Sequence, residues 1–450
     1  MRKRFGRRIL KWSSAGLCAV VLAVLARDVT LLIRRASVLR TVRSGHGWIR
    51  FDDTRELIEG LTLLGPLSEA TGWSLGEAAQ PVKALVWPSA SVSDSFCRRL
   101  LVFPELTQLI LGGSRITDTG LRTLCRLTNL ESLDVFGSNI SDEGLADLIR
   151  LRKLTSLGLA GTALSDGAAV HLEPLRRLRG LWLSDTRIGD RTMQSVSILR
   201  SLQYLDISGT AVTDSGLKLL QDLPELTMLD VSGTQLSDDG VIFLSGCRKL
   251  WRLDAERCQI KGPGLAALVG ATCLTWLSLR GNPLETVDAL AGANLRYLDL
   301  SDTPLTDAGI RRLSTIRNLT RLKLANTRIS DAGLKNLAEL EHLCHLDLSG
   351  TDITGSGLRH LATLQSLQIL DLSDTAIGPD GLAHLAELSS LEDLTLAGTP
   401  LDASWLELIS RLRGLRTLDV RKTKLSAADV RALRQILPDV RINHDPLTAL

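Results

Sequence analysis

The sequence predicts an α/β solenoid: an open horseshoe with a parallel β-sheet on its concave face and short helices on its convex face. A leucine-dominated frame recurs every 24 residues through most of the 450-residue chain. Within each frame the apolar period changes from that of a strand to that of a helix. Aromatic residues make up only 4% of the chain, which suits a core of identical stacked layers.

The repeat has the form L-x-x-L-x-L-x-x-T-x-I-[ST]-D-x-G-L, and fifteen copies span residues 82–438. The first copy, from Val82, is degenerate. The clean copies start at Leu106, Leu130, Leu154, Leu178, Leu202, Leu226, Leu250, Leu274, Leu295, Leu319, Leu343, Leu367, Leu391 and Leu415. The interval from Leu274 to Leu295 is 21 residues, so a shortened outer helix is expected in this unit.

Each part of the frame has a physical reason. Its alternating leucines are typical of a strand, and successive strands should stack in parallel about 4.8 Å apart. The ninth residue, as at Thr210, has a short hydroxyl that can bond turn backbone. The pair Thr213–Asp214 is typical of a helix N-terminus, because Ser, Thr and Asp cap helices. Each unit is therefore predicted to be a strand, a turn and a short outer helix.

Stretches such as residues 205–217 (Leu-Asp-Ile-Ser-Gly-Thr-Ala-Val-Thr-Asp-Ser-Gly-Leu) resemble the leucine-rich-repeat family. More narrowly, they resemble the cysteine-containing subtype of F-box proteins, close to ribonuclease-inhibitor-like repeats. Threonine mostly replaces the cysteine of that subtype, which resembles bacterial members. The resemblance covers about four-fifths of the chain and implies protein–protein recognition on the concave sheet, without naming the partner.

The N-terminus carries a membrane-directed pattern. Residues 1–44 contain eleven Lys or Arg and one acid, Asp28, and they include an uncharged run over residues 12–26. A basic segment before a short apolar run is typical of a signal peptide or a signal-anchor helix. We favour an uncleaved transmembrane anchor, because the apolar patch at residues 29–33 lengthens the span. A cleaved signal peptide and a basic helix of a soluble protein stay open as alternatives.

Two further segments flank the repeats. Residues 45–81 are predicted to form an N-terminal cap, and residues 439–450 a C-terminal cap and tail.

The charges of the N-terminal segment predict its orientation in the membrane. Positive side chains before the apolar run slightly outnumber those after it, which favours an N-terminus inside the cell. The protein is therefore expected to be membrane-anchored or exported, with its repeats outside the cytoplasm.

Charge and motifs argue against several classes of function. Residues 45–450 carry a net charge of −7, which gives no basic face for phosphates, so no nucleic-acid partner is expected. The chain has no HExxH, P-loop, GxSxG or CxxC motif, so no catalytic residue, cofactor or metal is expected. The seven cysteines are interpreted as small buried hydrophobes, and one disulfide stays open if the compartment is oxidising.

Bulky residues gather at the solvent-facing positions of the predicted sheet. Both tyrosines of the chain fall in the column that precedes the second frame leucine, where most flanking units have Ser, Thr or Gly. Exposed Tyr, Trp, Met and Arg together are the composition of binding hot spots. The predicted partner-binding residues are Trp182, Tyr204, Met228, Trp251, Arg252, Asp254, Trp276, Tyr297, Arg321 and His345.

The column after the second frame leucine is rich in aspartate. Its members are Asp134, Asp206, Asp230, Asp254, Asp299, Asp347, Asp371 and Asp419. Two interpretations are open. The aspartates are consensus residues of the repeat that stay solvated or bond to nearby Ser and Thr, or they form a negatively charged strip that attracts a basic segment of a partner.

The sequence therefore predicts a membrane-associated protein–protein interaction scaffold or recognition module, and not an enzyme. Two alternatives share the repeats. One is the substrate-recognition subunit of an F-box-type ubiquitin ligase, and the other is a ribonuclease-inhibitor-like protein inhibitor.

Overall fold

A computed structural model describes residues 30–42, 48–51, 81–87 and 90–445. It divides the chain into two compact units, Met1–Thr162 and Ala163–Leu450. The apolar run at residues 12–26, on which the membrane prediction depends, lies outside the described residues. Among the described helices, none is both long enough and apolar enough to cross a membrane.

The first unit contains parallel repeat strands, and an antiparallel strand precedes them. Its strands are β1 (Trp48–Phe51), β2 (Val82–Val86), β3 (Gln108–Ile110), β4 (Ser132–Asp134) and β5 (Ser156–Gly158). Strand β1 pairs antiparallel with β2, whereas β2 to β5 pair in parallel. The described helices after residue 80 are Asp94–Leu100, Asp118–Leu124 and the 3-10 helix Asp142–Arg150.

Residues 30–42 form a helix that belongs to the first unit. Its residues Ala36, Val38, Leu39 and Val42 are buried. Arg35 forms an ion pair with Glu105, and Arg99 Nη2 donates to Ser37 Oγ at 3.2 Å and to Thr41 Oγ1 at 3.1 Å. Residues 30–42, at the end of the membrane-directed segment 1–44, thus form a helix that packs on the first repeats. Of the predicted cap at residues 45–81, only residues 48–51 and 81 are described.

The second unit is a continuous run of parallel strands. These are β6 (Gly180–Trp182), β7 (Tyr204–Asp206), β8 (Met228–Asp230), β9 (Arg252–Asp254), β10 (Trp276–Ser278), β11 (Tyr297–Asp299), β12 (Arg321–Lys323), β13 (His345–Asp347), β14 (Ile369–Asp371), β15 (Asp393–Thr395), β16 (Thr417–Asp419) and β17 (Arg441–Asn443). Each pairs with the next at the same frame position, so the repeat frame sets the register.

Short helices complete the repeats of the second unit. The α-helices are Ala169–Leu172, Asp190–Val196, Asp214–Leu217, Asp238–Leu244, Pro379–Leu385, Leu406–Ile409 and Ala427–Ile436. The 3-10 helices are Asp166–Ala168, Lys218–Asp222, Pro263–Gly270, Asp288–Leu290, Leu313–Thr315, Leu334–Leu337, Ser356–Thr363 and Ala403–Trp405. The unit that starts at Leu274 has only the three-residue turn Asp288–Leu290, which confirms its shortened outer helix.

Leucines fill the core between the strands and the helices. Leu253, Leu277 and Leu298 occupy equivalent positions in β9, β10 and β11, and each is 0% exposed. The ninth-position threonines close the turns as expected, since Thr210 Oγ1 donates to the Ile207 carbonyl at 2.6 Å. The same bond is made by Thr162, Thr186, Thr234, Thr303, Thr327, Thr351, Thr375, Thr399 and Thr423.

Four of the cysteines behave as small buried hydrophobes. Cys97, Cys125, Cys247 and Cys258 are buried and free. Burial raises the pKa of Cys97, Cys125 and Cys247 to about 12, so these thiols are protonated at neutral pH. Of the other described cysteines, Cys273 is exposed and Cys344 half-buried, and both are free.

Several frame aspartates join one repeat to the following one. Asp214 Oδ1 accepts the backbone N–H of Ser237 at 2.9 Å, and its Oδ2 accepts Ser237 Oγ at 2.6 Å. Asp190 makes the same pair of bonds to Thr213. Such bonds satisfy amide groups at the start of the next helix, which lack partners within the helix. These aspartates therefore cross-link neighbouring repeats in addition to favouring their own helix.

Replacing Asp214 with alanine should lower the free energy of unfolding by about 1–3 kcal/mol, because two hydrogen bonds to a carboxylate are lost. Asp239→Ala is the matched control, since Asp239 is an exposed aspartate in the first turn of the next helix and should cost less than about 0.5 kcal/mol. Urea unfolding of both variants measures the difference. Equal costs for the two substitutions would contradict the cross-linking role.

Candidate functional site

The second unit brings the predicted column of bulky residues into one line. The alternation within each strand buries the frame leucine and leaves its neighbours on the side of the sheet away from the helices, which we term the strand face. Successive members of the column are register partners about 4.8 Å apart. They are Tyr204, Met228, Arg252, Trp276, Tyr297, Arg321 and His345.

The centre of the column is a stack of three side chains. The rings of Trp276 and Tyr297 are stacked, with centroids 3.6 Å apart and an interplanar angle of 6°. The guanidinium carbon of Arg252 lies 4.7 Å from the centroid of the Trp276 ring. Tyr297 leaves no room for a guanidinium on its own side, so Arg252 and Tyr297 cover opposite faces of the indole. We call Arg252, Trp276 and Tyr297 the aromatic stack.

Two carboxylates hold this stack in place. Asp254 accepts from Arg252 Nε at 2.7 Å and from Trp276 Nε1 at 3.1 Å. Tyr297 donates its hydroxyl to Asp299 Oδ2 at 3.2 Å. Burial raises the pKa of Tyr297 and the charge of Asp299 raises it further, so the phenol stays protonated as a donor. Asp254 is therefore a positioning residue, whose side chain is only 13% exposed.

A second aromatic pair lies at the N-terminal end of the column. The rings of Trp182 and Tyr204 are 4.8 Å apart at an angle of 32°. The Trp182 ring lies back over Gly180, where an added Cβ would stand 2.7 Å from the indole. Glycine at this position therefore makes room for Trp182. The half-buried Met228 and the strand of Arg252 separate this pair from Trp276 and Tyr297.

The remaining predicted residues differ in their surroundings. Trp251 is 40% exposed and immediately precedes β9. Arg321 is exposed on β12. His345 is half-buried, and burial lowers its pKa, so the ring is neutral at neutral pH. The structure thus brings Arg252, Asp254, Trp276 and Tyr297 together, with Arg321 and His345 beyond them on the next two strands.

Most aspartates of the neighbouring column bond to a serine or a backbone amide two residues later. Asp206 Oδ1 accepts from Ser208 Oγ at 2.7 Å, and the same contact is made by Asp347 to Ser349 and by Asp371 to Ser373. These carboxylates are satisfied within their own turns, which favours the consensus interpretation over a strip for a basic segment. Asp254 differs, because its side-chain bonds go to Arg252 and Trp276 of the aromatic stack. Asp299 makes both kinds of contact, to Tyr297 and to the backbone amide of Ser301.

Replacing Asp230 with asparagine should stabilise the fold slightly at pH 7. Burial raises the pKa of Asp230, and the charges of Asp206 and Asp254 add to the effect. The Asp230 carboxyl group therefore stays protonated to a higher pH in the folded state than in the unfolded chain, where its pKa is about 3.9. As the pH rises from that value through the folded pKa, the carboxyl group ionises and the free energy of unfolding falls. The urea midpoint of Asp230→Asn should exceed that of the wild type at pH 7 and match it near pH 3. A gain that is independent of pH would contradict this assignment.

Charged residues beside the stack were missed by the sequence analysis. Glu256 accepts from Ser278 Oγ at 2.8 Å, and Arg280 Nε lies 2.6 Å from Asp302 Oδ2. Glu256 and Arg280 occupy a frame position that is mostly Ser or Ala in other units, and Arg257 has a φ of 50° where most units have glycine. The sequence could have indicated these residues, because the repeat starting at Leu250 departs from the consensus at two successive positions, Glu256 and Arg257.

Comparison with protein families identifies the repeats. Family models match under the descriptions "Leucine rich repeat" at residues 317–377, "Zer-1-like, Leucine-rich repeats" at 146–279, and "Leucine Rich repeat" at 105–125, 126–148 and 293–314. The chain belongs to the leucine-rich-repeat family. No curated protein matches the chain in sequence.

Solved structures share this fold at low identity. An internalin (inlF) from Listeria monocytogenes is 22% identical, with 80% of this chain and 90% of that chain covered and a TM-score of 0.53. A leucine-rich-repeat protein of Leptospira interrogans is 20% identical, with 77% and 91% covered and a TM-score of 0.58. TLR13 in its complex with ssRNA13 is 17% identical, with 78% and 59% covered and a TM-score of 0.53. These similarities establish a leucine-rich-repeat solenoid fold.

Proposed function

We propose that this chain is a recognition scaffold without catalytic activity, and that the strand face of its second unit binds a protein partner. The observation that carries the proposal is the stack of Arg252, Trp276 and Tyr297. The fold needs only the inward leucines, so the bulk of these three side chains on the opposite face serves no packing purpose in the core. Leucine-rich-repeat proteins act as protein–protein recognition modules, which supports the same assignment.

The stack has the physical properties of a binding hot spot. Tryptophan, tyrosine and arginine dominate hot spots because they offer large, flat contact areas. Here Asp254 and Asp299 fix their orientations before any partner arrives. A preordered surface loses little side-chain entropy on binding, so more of the contact energy is available as affinity.

The partner can be identified by lysine-reactive cross-linking of the full-length chain in its native membrane or medium. Lys323 lies on the strand face within β12, whereas Lys335 lies in the 3-10 helix Leu334–Leu337. The proposal predicts that one protein is linked through Lys323 and not through Lys335. Links confined to Lys335 would place the interface on the outer helices and contradict the proposal.

We further propose that residues 1–33 anchor the chain in a membrane, with the repeats outside the cytoplasm. The support is the sequence pattern of a basic segment followed by an apolar run. Resistance of the full-length chain to alkaline extraction, together with digestion of the repeats by protease added outside intact cells, is the expected result. A chain recovered wholly in the cytosol would contradict it.

Other assignments would give different outcomes in the same cross-linking experiment. A cullin adaptor as the linked protein would indicate an F-box-type receptor, and a ribonuclease would indicate an inhibitor. Linked nucleic acid would contradict a protein partner. The net charge of −7 over residues 45–450 argues against this last outcome, although TLR13, which shares the fold, is in complex with ssRNA13. We also propose, from the repeat sequence, that the repeats belong to the cysteine-containing, ribonuclease-inhibitor-like subtype and are similar to its bacterial members.

A further inference from the structure

Among the described residues, Arg321 carries an unpaired positive charge at one edge of the aromatic stack. Arg321 is the register partner of Tyr297, is exposed, and has no ion pair in the part of the chain that the structure describes. Lys323 on the same strand is 38% exposed and forms an ion pair with Asp299, with 4.0 Å between Nζ and Oδ2. Likewise, Arg252 is engaged by Asp254. An unpaired guanidinium beside the stack is thus available to a ligand.

The open aromatic surface lies at the same edge. Trp276 is covered on both faces, by Arg252 and by Tyr297. Tyr297 is covered on one face by Trp276, and no other described ring or guanidinium lies over it. The face of Tyr297 opposite Trp276 is on the side of β12, so this face and the guanidinium of Arg321 are neighbours on adjacent strands.

Resting on the proposed function, we infer that the partner docks an acidic segment here: an Asp or Glu carboxylate pairs with Arg321, and an adjacent apolar or aromatic side chain covers Tyr297. Arginine suits this role because its planar guanidinium binds a carboxylate through two parallel hydrogen bonds.

The position of the acidic contact follows from the other charges on the strand face. Asp230 lies on β8, three strands from Tyr297, or about 14 Å at the usual strand spacing. That distance exceeds the Debye length of about 8 Å at physiological ionic strength, so repulsion of the partner's carboxylate by Asp230 is weak. Asp347, on β13, accepts hydrogen bonds from Ser349 and keeps its negative charge. Arg252 and Lys323 are already paired with Asp254 and Asp299, whereas Arg321 is not, so the acidic residue of the partner is placed at β12, against Arg321.

Selection of random 12-residue peptides displayed on phage tests this inference, with the full-length chain in lipid nanodiscs as bait. The variants are Arg321→Gln and the matched control Arg359→Gln, an exposed arginine in the 3-10 helix Ser356–Thr363. Wild type and Arg359→Gln should enrich peptides with Asp or Glu next to an aromatic or aliphatic residue. Arg321→Gln should lose the acidic enrichment and bind a selected peptide about tenfold more weakly, as expected for loss of one partner of a charged pair.

The outcomes separate this inference from the proposed function. Enrichment of basic peptides, no enrichment, or acidic enrichment that survives in Arg321→Gln would overturn the acidic-segment inference. In these cases, binding of the native partner that is lost in Trp276→Ala would still support the strand face as the docking surface. Native-partner binding that is indifferent to Trp276→Ala would overturn the proposed function itself. Unchanged urea midpoints for both glutamine variants establish that they are folded.

Discussion

Replacing Leu277 with alanine is expected to lower the free energy of unfolding by about 2–5 kcal/mol. Leu277 is 0% exposed and lies in register between Leu253 and Leu298. The substitution would therefore leave a cavity inside the core, between the leucines of the two neighbouring repeats. Close packing lets such a site relax only partly. Urea unfolding monitored by circular dichroism measures the loss.

Ile242→Ala is the control for this substitution. Ile242 lies in the helix Asp238–Leu244 and is 51% exposed. Its truncation should change stability by less than about 0.5 kcal/mol. A similar cost at Ile242 and Leu277 would contradict a core built from the frame leucines.

Trp276→Ala should weaken binding of the protein partner by about 30-fold or more, which corresponds to about 2 kcal/mol for a truncated hot-spot tryptophan. The indole is the middle layer of the stack, so its loss also frees Arg252 and Tyr297. The same loss should cost about 1 kcal/mol of stability, because an aromatic pair contributes about 0.5–1.5 kcal/mol. Titration of the purified partner measures the affinity, and urea unfolding measures the stability.

Two variants make this result specific. Trp276→Phe keeps a ring for stacking but loses the Nε1–H bond to Asp254, so its affinity should lie between wild type and Trp276→Ala. Val170→Ala truncates a side chain that is 57% exposed in the helix Ala169–Leu172, and it should bind normally. Normal binding by Trp276→Ala, or an equal loss in Val170→Ala, would remove the stack from the binding site.

The strands and turns of this fold are predictable from the sequence because the repeat determines its own register. A 24-residue frame places Trp276 beside Arg252, and the 21-residue step to Tyr297 preserves the pairing. The threonine turn bonds follow from the same frame, as at Thr210. The conformation of the outer segments was less predictable, since several are 3-10 rather than α-helical and lack a sequence signal for the difference.

The side-chain partners within the site could not be predicted from the frame. Column position establishes that Trp276 and Tyr297 are neighbours, but their stacking depends on rotamers set by Asp254 and Asp299. The consensus identity of Asp254 concealed its distinct role, because most other aspartates of its column bond only within their own turns. The unusual residues that follow it, Glu256 and Arg257, mark this repeat as different.

A structure of the complex with the cross-linked partner would show whether the partner docks on the strand face. We expect a partner side chain in van der Waals contact with Tyr297, and we expect the outer helix Asp238–Leu244 to be left uncovered. A partner seated on the outer helices, with Arg252, Trp276 and Tyr297 still open to solvent, would contradict this expectation.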